Sequence, residues 1–542
     1  MIGRGVELIN ASGWRLIASE RETIYCAGAY SSDRVWRDNH RPFACVAKPN
    51  DGGPIQAWRD HFGQEPFYYA CENGRFIFGS TLPDVIARRD RETLPNRKQF
   101  AAECVTRGRY GEAEYSSETF HRGVYRLEPG HVAIVADNNV KSSPFWSIDP
   151  NAPRIVYPND DDYVAHFEAL LNEAVRACIG DNPAPSSLAA EFSGGLDSSA
   201  IVVACHNLGV DPSLYSHVAP PDSEESDDFD LAQAVVNHLG LSPICRVDAE
   251  RFDLLDVLDS CAERFAGAAP YVFFALANNV HRAVSNDRMT VLLSGFGGDQ
   301  CVSGHAPPSA FYPDLLRQRK FGEAYREMRL QSARTGSPGS SAHVLTRLAL
   351  YSNDPLFLLW RQASQAKRWV GEKMNRPSQS HWIRRRYRSV EHLECGLLQG
   401  AQSHETRMRI EFSAVAARAF GFRYEYPLLH PKLVEFYNRL PTEQKRRNGI
   451  ARRLIRAYLR RYLPEEVAAK EKKGGGILPA TVHKAMQLYR AGALDSAFGG
   501  TGFDEEIAEI QEEKLRLFAK MAVYMTERYE AAQSKARALT LA

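Results

Sequence analysis

The residues best suited to chemistry lie in one stretch, Glu191-Phe192-Ser193-Gly194-Gly195-Leu196-Asp197-Ser198-Ser199. Ser193, Ser198 and Ser199 offer hydroxyl donors to an anion, and the glycines let backbone N–H groups come close to it. Asp197 would repel that anion unless a cation lies between them. The combination suits a magnesium-bridged pyrophosphate. Just before it, Leu188, Ala189, Ala190 and Phe192 read as a buried strand, and after it Ile201, Val202, Val203 and Cys205 return at helical spacing. A helix start adds its partial positive charge to the turn. The stretch is not a Walker loop, since no G-x-x-x-x-G-K-[ST] is present.

Alternating elements must hold this turn in place. The sequence predicts a helix over Asp162–Cys178, the Pro-rich linker 182–185, strands over Leu214–Val218 and Pro243–Val247, and a helix over Leu231–Leu239. Strand–helix alternation implies a parallel sheet with helices on both faces and ligands at the strand C-terminal ends. At Thr290–Gln300 an apolar strand again runs into a glycine turn carrying an acid, Asp299, which lies 299 − 197 = 102 positions after Asp197. A capped strand-to-helix turn would use the same residues, but two such turns in one sheet favour a site. Before residue 150, short β-like runs (14–18, 23–27, 43–47, 67–69, 76–78, 131–135) and helices near 83–88 and 98–106 predict an α+β layered domain. From Arg317 to about Gly400 the chain reads as helical, with a basic cluster at 381–388 and a Gly/Ser/Pro loop at Ser332–Ser341. The acidic run 222–228 reads as a solvated, helix-capping surface.

The whole chain sets outer bounds. At 542 residues it is long enough for two buried cores. Its formal charge of +1, from 67 basic and 66 acidic residues, gives no field favouring nucleic acid or an acidic membrane. Ten cysteines without C-x-x-C pairs look like scattered cytosolic thiols. No run approaches eighteen apolar residues and the first ten residues hold no signal-peptide block. The expectation is a cytoplasmic protein with no nucleic-acid or membrane partner.

The string Ser193–Ser199 resembles the PP-loop of ATP pyrophosphatases, which cleave ATP between the α- and β-phosphates and transfer AMP to a substrate. Gly63-Gln64-Glu65-Pro66-Phe67-Tyr68-Tyr69, Phe76-Ile77-Phe78-Gly79-Ser80 and Tyr125-Arg126-Leu127-Glu128-Pro129-Gly130-His131 look like glutaminase-domain landmarks of asparagine synthetase-like proteins. The resemblance implies an N-terminal Ntn-hydrolase-like αββα domain (1–155), of the class II glutamine amidotransferase type. A doubly wound PP-loop α/β synthetase domain with extra helices (160–542) follows it. The family nucleophile is the cysteine exposed when Met1 is removed, and this chain carries Ile2 there. Isoleucine forms no thioester, so the ammonia-producing half-reaction is expected to be absent. Cys26 reads as a small core hydrophobe, not as a substitute.

For the second domain the resemblance implies a set of roles. ATP and its pyrophosphate would be held by Ser193, Gly194, Gly195, Leu196, Asp197, Ser198, Ser199, Ser294, Gly295 and Gly297, with Mg2+ on Asp197 and Asp299. In the segment Leu463-Pro464-Glu465-Glu466 to Gly476, Lys472 stands at the catalytic-lysine position, with Lys473 adjacent and Lys470 more distant. A cation there would stabilise charge growing on the α-phosphate. Two departures are informative. Phe296 replaces a glutamate of asparagine synthetases or a tyrosine of β-lactam synthetases, and it has no titratable group. In Phe422–His430 the glutamate and arginine of E-x-R-x-P-F-L-D are exchanged (Arg423, Glu425), and His430 replaces the aspartate, so no catalytic role carries over.

These implications converge on ATP-dependent amide formation through an acyl-adenylate. Relatives lacking the glutaminase cysteine include β-lactam synthetases and lasso-peptide cyclases, and Phe296 argues against the former. The sequence reading is thus a macrolactam cyclase acting on a peptide precursor, with a leader peptidase and a leader-binding protein as pathway partners. The alternatives are an asparagine synthetase using free ammonia, or another small-molecule amide or β-lactam-type synthetase.

Overall fold

A computed structural model describes residues 6–18, 22–28, 41–91, 93–100, 116–136, 139–149, 151–180, 187–218, 229–248, 251–267, 278–302, 308–335, 341, 344–346, 403–470, 477–492, 494 and 513–541. Two sheets fill the first part of the chain. Their strands are β1 (Glu7–Asn10), β2 (Arg15–Ala18), β3 (Glu22–Gly28), β4 (Phe43–Pro49), β5 (Ile55–Arg59), β6 (Tyr68–Glu72), β7 (Arg75–Gly79), β8 (Tyr125–Arg126), β9 (His131–Ala136) and β10 (Asn139–Pro144). The orders are β1-β7-β6-β8 and β10-β9-β5-β4-β3-β2. The period-two alternation of a strand explains how they stack. Ala44 and Val46 of β4 join Phe67, Phe76 and Phe78 in the core between the sheets, while Phe43, Cys45 and Ala47 bury the opposite face with Cys26. Cys26 is thus a core residue, with its thiol directed to the Arg15 carbonyl at 3.7 Å. Ile2 lies outside the described residues.

The second part centres on a five-stranded, all-parallel sheet. Its strands are β11 (Leu188–Glu191), β12 (Ser213–Val218), β13 (Cys245–Asp248), β14 (Val291–Leu293) and β15 (Arg423–Glu425), in the order β13-β12-β11-β14-β15. The winding reverses between β11 and β14, so a crevice opens outside their carboxyl ends. The Asp160–Ile179 helix buries Tyr163, Val164, Phe167, Leu170, Leu171, Ala174 and Val175. That is an i, i+3, i+4 stripe, and the three aspartates of its first turn suit the helix dipole. The Leu196–Asn207 helix is buried on all sides from Ser198 to Cys205, as its run of Ala, Ile and Val dictates. The loop expected from Ser332 begins later. The Phe321–Thr335 helix runs through a buried Ser332, because the helix-breaking Gly336 and Pro338 lie only beyond its end. The acidic run 222–228, the basic cluster 381–388 and residues 101–106 of the expected second helix lie outside the described residues.

The two parts share buried surface. Tyr68, Ala70, Ile77 and Leu82 of the first pack with Leu258, Phe412, Met521 and Met525 of the second in one core cluster. The Ser403–Ala419 helix is the main bridge. Its residues 407, 411, 414 and 418 fall at i, i+4, i+7 and i+11 and so form one stripe. Glu411 is held by Arg59 at 2.9 Å, by Arg126 at 3.3 Å and by the Tyr68 hydroxyl at 2.7 Å, while Arg407 faces Glu128 and Arg418 pairs with Glu65. No helix among the described residues is long and apolar enough to cross a membrane.

Candidate functional site

The turn after β11 and the turn after β14 close on each other in the crevice. Phe192 N–H donates to the Tyr215 carbonyl at 2.8 Å, extending the sheet to the edge of the turn. Gly194 then adopts φ +70°, a left-handed value that suits glycine. Gly195 caps the helix that begins at Leu196. The Ser198 hydroxyl donates to the Gly195 carbonyl at 3.2 Å and lies 3.3 Å from the Ser193 hydroxyl, so the two serines brace the turn. Ser193 remains exposed, whereas Leu196 and Ser199 are buried. The Ser199 hydroxyl has no hydrogen-bond partner among the described residues.

From the other side, Ser294 N–H donates to the Glu425 carbonyl at 3.0 Å, prolonging β14–β15 pairing, and the chain turns through Gly295 and Gly297. Gly295 and Gly298 permit the close approach. A Cβ on Gly295 would meet the Ser198 nitrogen at 2.8 Å, and one on Gly298 would meet an Asp197 carboxylate oxygen at 2.2 Å. Larger residues there would force the turns apart.

Asp197 and Asp299 both reach the guanidinium of Arg452. One terminal nitrogen pairs with Asp197 and the other lies 2.9 Å from Asp299. Arg452 is 6% exposed and stands at the N-cap of the Arg453–Leu459 helix with φ +61°. Arginine rarely takes that left-handed conformation, so tertiary contacts hold it there. The two aspartates raise the arginine's affinity for its proton, offsetting a burial that lowers it. Sequence reasoning missed Arg452. The available signal was the Asn448-Gly449 turn leading into a basic pair at a helix start.

A polar network lies beside the turns. Glu191, the last residue of β11, accepts from the Ser294 hydroxyl at 2.9 Å and from the Tyr424 hydroxyl at 2.5 Å. Phe296 N–H donates to the same Ser294 hydroxyl at 3.3 Å, and the Phe296 ring packs edge-on to Tyr426 with the Arg409 guanidinium 3.9 Å above it. Phe296 is thus a packing residue in an aromatic wall. His281 sits buried among Phe420, Phe422 and Tyr424, and burial pushes its pKa down to about 4, so it stays neutral.

The structure therefore brings Ser193, Gly194, Gly195, Leu196, Asp197, Ser198, Ser294, Gly295, Gly297 and Asp299 to one crevice. Ser199 sits beneath it, in the core. Lys472 and Lys473 lie outside the described residues. Lys470 ends the Glu465–Ala469 helix, whose Ala468 carbonyl is tied down by Arg456 at 2.7 Å. The exchanged pair survives as a contact, with Arg423 2.7 Å from Glu425, and His430 is a buried N-cap residue of the Pro431–Asn438 helix.

The fold and paired turns define a class, and comparison with known proteins gives it a name. Residues 166–536 match the asparagine synthase family and residues 42–146 match the glutamine amidotransferase domain. The chain belongs to the asparagine synthase family, with an amidotransferase-like domain ahead of the synthase domain. It is 28% identical over 180 residues to asparagine synthetase [glutamine-hydrolyzing] 3 of Bacillus subtilis, covering 33% of this chain and 28% of that one. It is 25% identical over 288 residues to amidase chyE of Penicillium rubens, covering 48% and 39%. It is 24% identical over 260 residues to the putative asparagine synthetase [glutamine-hydrolyzing] 2 of Methanocaldococcus jannaschii, covering 47% of each chain. The matches span less than half the length of these relatives.

Proposed function

We propose that this chain is an ATP-dependent ligase that forms an amide through an acyl-adenylate, and that it closes a macrolactam on a peptide, as lasso-peptide cyclases do. The observation that carries the ligase reading is the convergence of Asp197 and Asp299 on one buried guanidinium, at the reversal point of a parallel sheet. Two carboxylates that share one cation can share another. Magnesium takes one or two carboxylates together with phosphate oxygens and water, so this donor set fits it. When bound, it would neutralise pyrophosphate charge. Arg452 would pair with phosphate oxygens, for which its planar fork is suited.

The substrate carboxylate attacks the α-phosphorus and the bond to the β-phosphate breaks, so pyrophosphate leaves with the electron pair. An amine then adds to the acyl carbon, AMP departs, and the amine gives up one proton. Ser193, the backbone of Gly194 and Gly195, and the helix N-terminus at Leu196 hold the phosphates. By the resemblance, Lys472 would support charge at the α-phosphate. Phe296 cannot accept the amine proton. Glu191, linked to the Phe296 turn through the Ser294 hydroxyl and held by the Tyr424 hydroxyl, would accept it.

The aromatic wall of Phe296 and Tyr426 supports a bulky amine donor over ammonia. A peptide precursor meets that description, and a leader-binding protein and a leader peptidase would deliver it. Names among the relatives keep asparagine formation as the alternative.

The test is to incubate the full chain with α-labelled ATP and magnesium, offering a synthetic precursor peptide in one arm and aspartate with ammonium in the other. The expected products are AMP, pyrophosphate and a peptide lighter by one water. Asparagine in the second arm with an inert peptide moves the reading to a small-molecule synthetase. ADP in place of AMP overturns the adenylate. A third arm offering glutamine should release no glutamate.

A further inference from the structure

Arg452 enters the crevice from a short stretch of backbone in an uncommon shape. Just before it, β16 (Arg446–Arg447) and β17 (Ile450–Ala451) form an antiparallel hairpin, with Arg446 opposite Ala451 and Arg447 opposite Ile450. The two residues of its turn, Asn448 and Gly449, take φ +55° and +73°. Positive φ at both positions marks the type I′ turn that Asn-Gly favours. Arg452 follows directly after β17, again at positive φ. Two residue pairs are too few for a hairpin to stand on its own, so its position must come from a neighbour.

Glu327 is that neighbour. It lies on the Phe321–Thr335 helix and is fully buried. One carboxylate oxygen accepts from Asn448 N–H at 2.5 Å and the other from Gly449 N–H at 2.6 Å. Successive N–H groups of a turn make a concave donor pair, and a carboxylate fits it with charge-assisted bonds. The turn is also seated on the backbone of the same helix. A Cβ on Gly449 would meet the Leu330 carbonyl carbon and the Gln331 nitrogen at 3.2 Å each. On the far side, Arg456 Nε donates to the Ala451 carbonyl at 3.1 Å, and Arg456 N–H donates to the Arg452 carbonyl at 3.3 Å. The backbone around Arg452 is thus fixed by Glu327 before it and by Arg456 after it.

We propose that Glu327 is a positioning residue of the nucleotide site. By clamping the Asn448-Gly449 turn, three residues ahead of Arg452, it sets the guanidinium between Asp197 and Asp299, where the phosphates meet it. Glu327 acts through Arg452 and not by contact with nucleotide. The role rests on the reading of Arg452 as a phosphate partner given above. Glu327 also opposes the lowering of the Arg446 pKa that burial causes, so a loss of stability alone does not report positioning.

The experiment is a double-variant cycle on the full chain, read as equilibrium affinity for MgATP and, as a control without phosphate, for adenosine. Arg452→Ala should weaken MgATP by roughly 100-fold and Glu327→Gln by about 10-fold, with adenosine binding unchanged in both. Glu327→Gln keeps the side-chain volume and removes the charge that the two N–H groups share. The double variant should bind MgATP within about twofold of Arg452→Ala alone, because the glutamate then has nothing to position. Gly449→Ala, which unseats the turn from its own side, should repeat the pattern and takes over the test where Glu327→Gln does not fold. If Arg452→Ala binds MgATP like wild type, the phosphate role of Arg452 is wrong and the positioning role goes with it. If Arg452→Ala weakens MgATP and Glu327→Gln does not, if the two losses multiply in the double variant, or if adenosine weakens in step, the proposal is overturned while the phosphate role of Arg452 stands.

Discussion

Glu411 and Glu425 come from neighbouring elements of the second domain, and both are buried against the first, yet their surroundings set them in opposite states. At Glu411 burial raises the carboxyl pKa, but Arg59, Arg126 and the Tyr68 hydroxyl more than offset that and hold it below its ordinary value. Around Glu425 burial outweighs Arg423, itself half in solvent, and Arg41, and the carboxyl rises to about 7. The first has two arginines within 3.3 Å and ties one domain to the other, although its Oε2, like that of Glu425, makes no hydrogen bond among the described residues. Both groups are equally hidden from water, so what separates them is the cationic charge packed against each.

The same substitution at the two positions should therefore act in opposite directions. Glu411→Gln leaves Arg59 and Arg126 buried without their counter-charge, and it should cost about 3–5 kcal/mol in chemical denaturation at pH 7. Because the folded pKa of Glu411 is depressed, its stabilisation is present above the ordinary carboxylate value. It is lost as pH falls through the lower folded value. A loss under roughly 1 kcal/mol would mean that the cluster is hydrated and does not fasten the domains.

Glu425 carries the opposite sign. Its folded pKa lies above the ordinary 4.5, so wild-type stability falls as pH rises from about 4.5 to 7, by up to roughly 3 kcal/mol. Glu425→Gln escapes that loss. The variant should gain on wild type across this window, measured as the difference in denaturation midpoint at pH 5 and pH 8. A constant difference would remove the contrast between the two glutamates. The smallest effect belongs to Arg423→Gln, which should change stability by no more than about 1 kcal/mol at neutral pH, as expected of a half-exposed ion pair.

Local patterns were legible in the sequence and distant ones were not. The turn at Ser193–Ser199 and its counterpart at Ser294–Asp299 stand out because residue type, glycine and flanking apolar strand lie within a dozen positions. The strands β11, β12 and β14 follow from the same runs. Arg452 was not legible, because it sits 255 positions from Asp197 and nothing local distinguishes it from Arg453. Strand β5 was missed, since Ile55-Gln56-Ala57-Trp58-Arg59 has no sustained β-branched run and gains its strand state from pairing with β4 and β9. The helix stripe of Arg407, Glu411, Ala414 and Arg418 was present as spacing, but charges at i, i+4, i+11 read equally as a solvated face. Only the opposing Glu128, Arg59, Arg126 and Glu65 give it meaning.

The central claim is that two turns 102 positions apart form one nucleotide site whose carboxylates lie on either side of Arg452. Equilibrium binding of MgATP to the full chain tests it without knowledge of the acyl or amine substrate. Asp197→Asn and Asp299→Asn should each weaken MgATP by roughly 10- to 100-fold, the worth of a charged contact, with circular dichroism confirming that each variant is folded. Their effects should be non-additive, because both act on one metal–phosphate group. If the double variant binds MgATP as tightly as wild type, the two turns do not make the nucleotide site and the account fails.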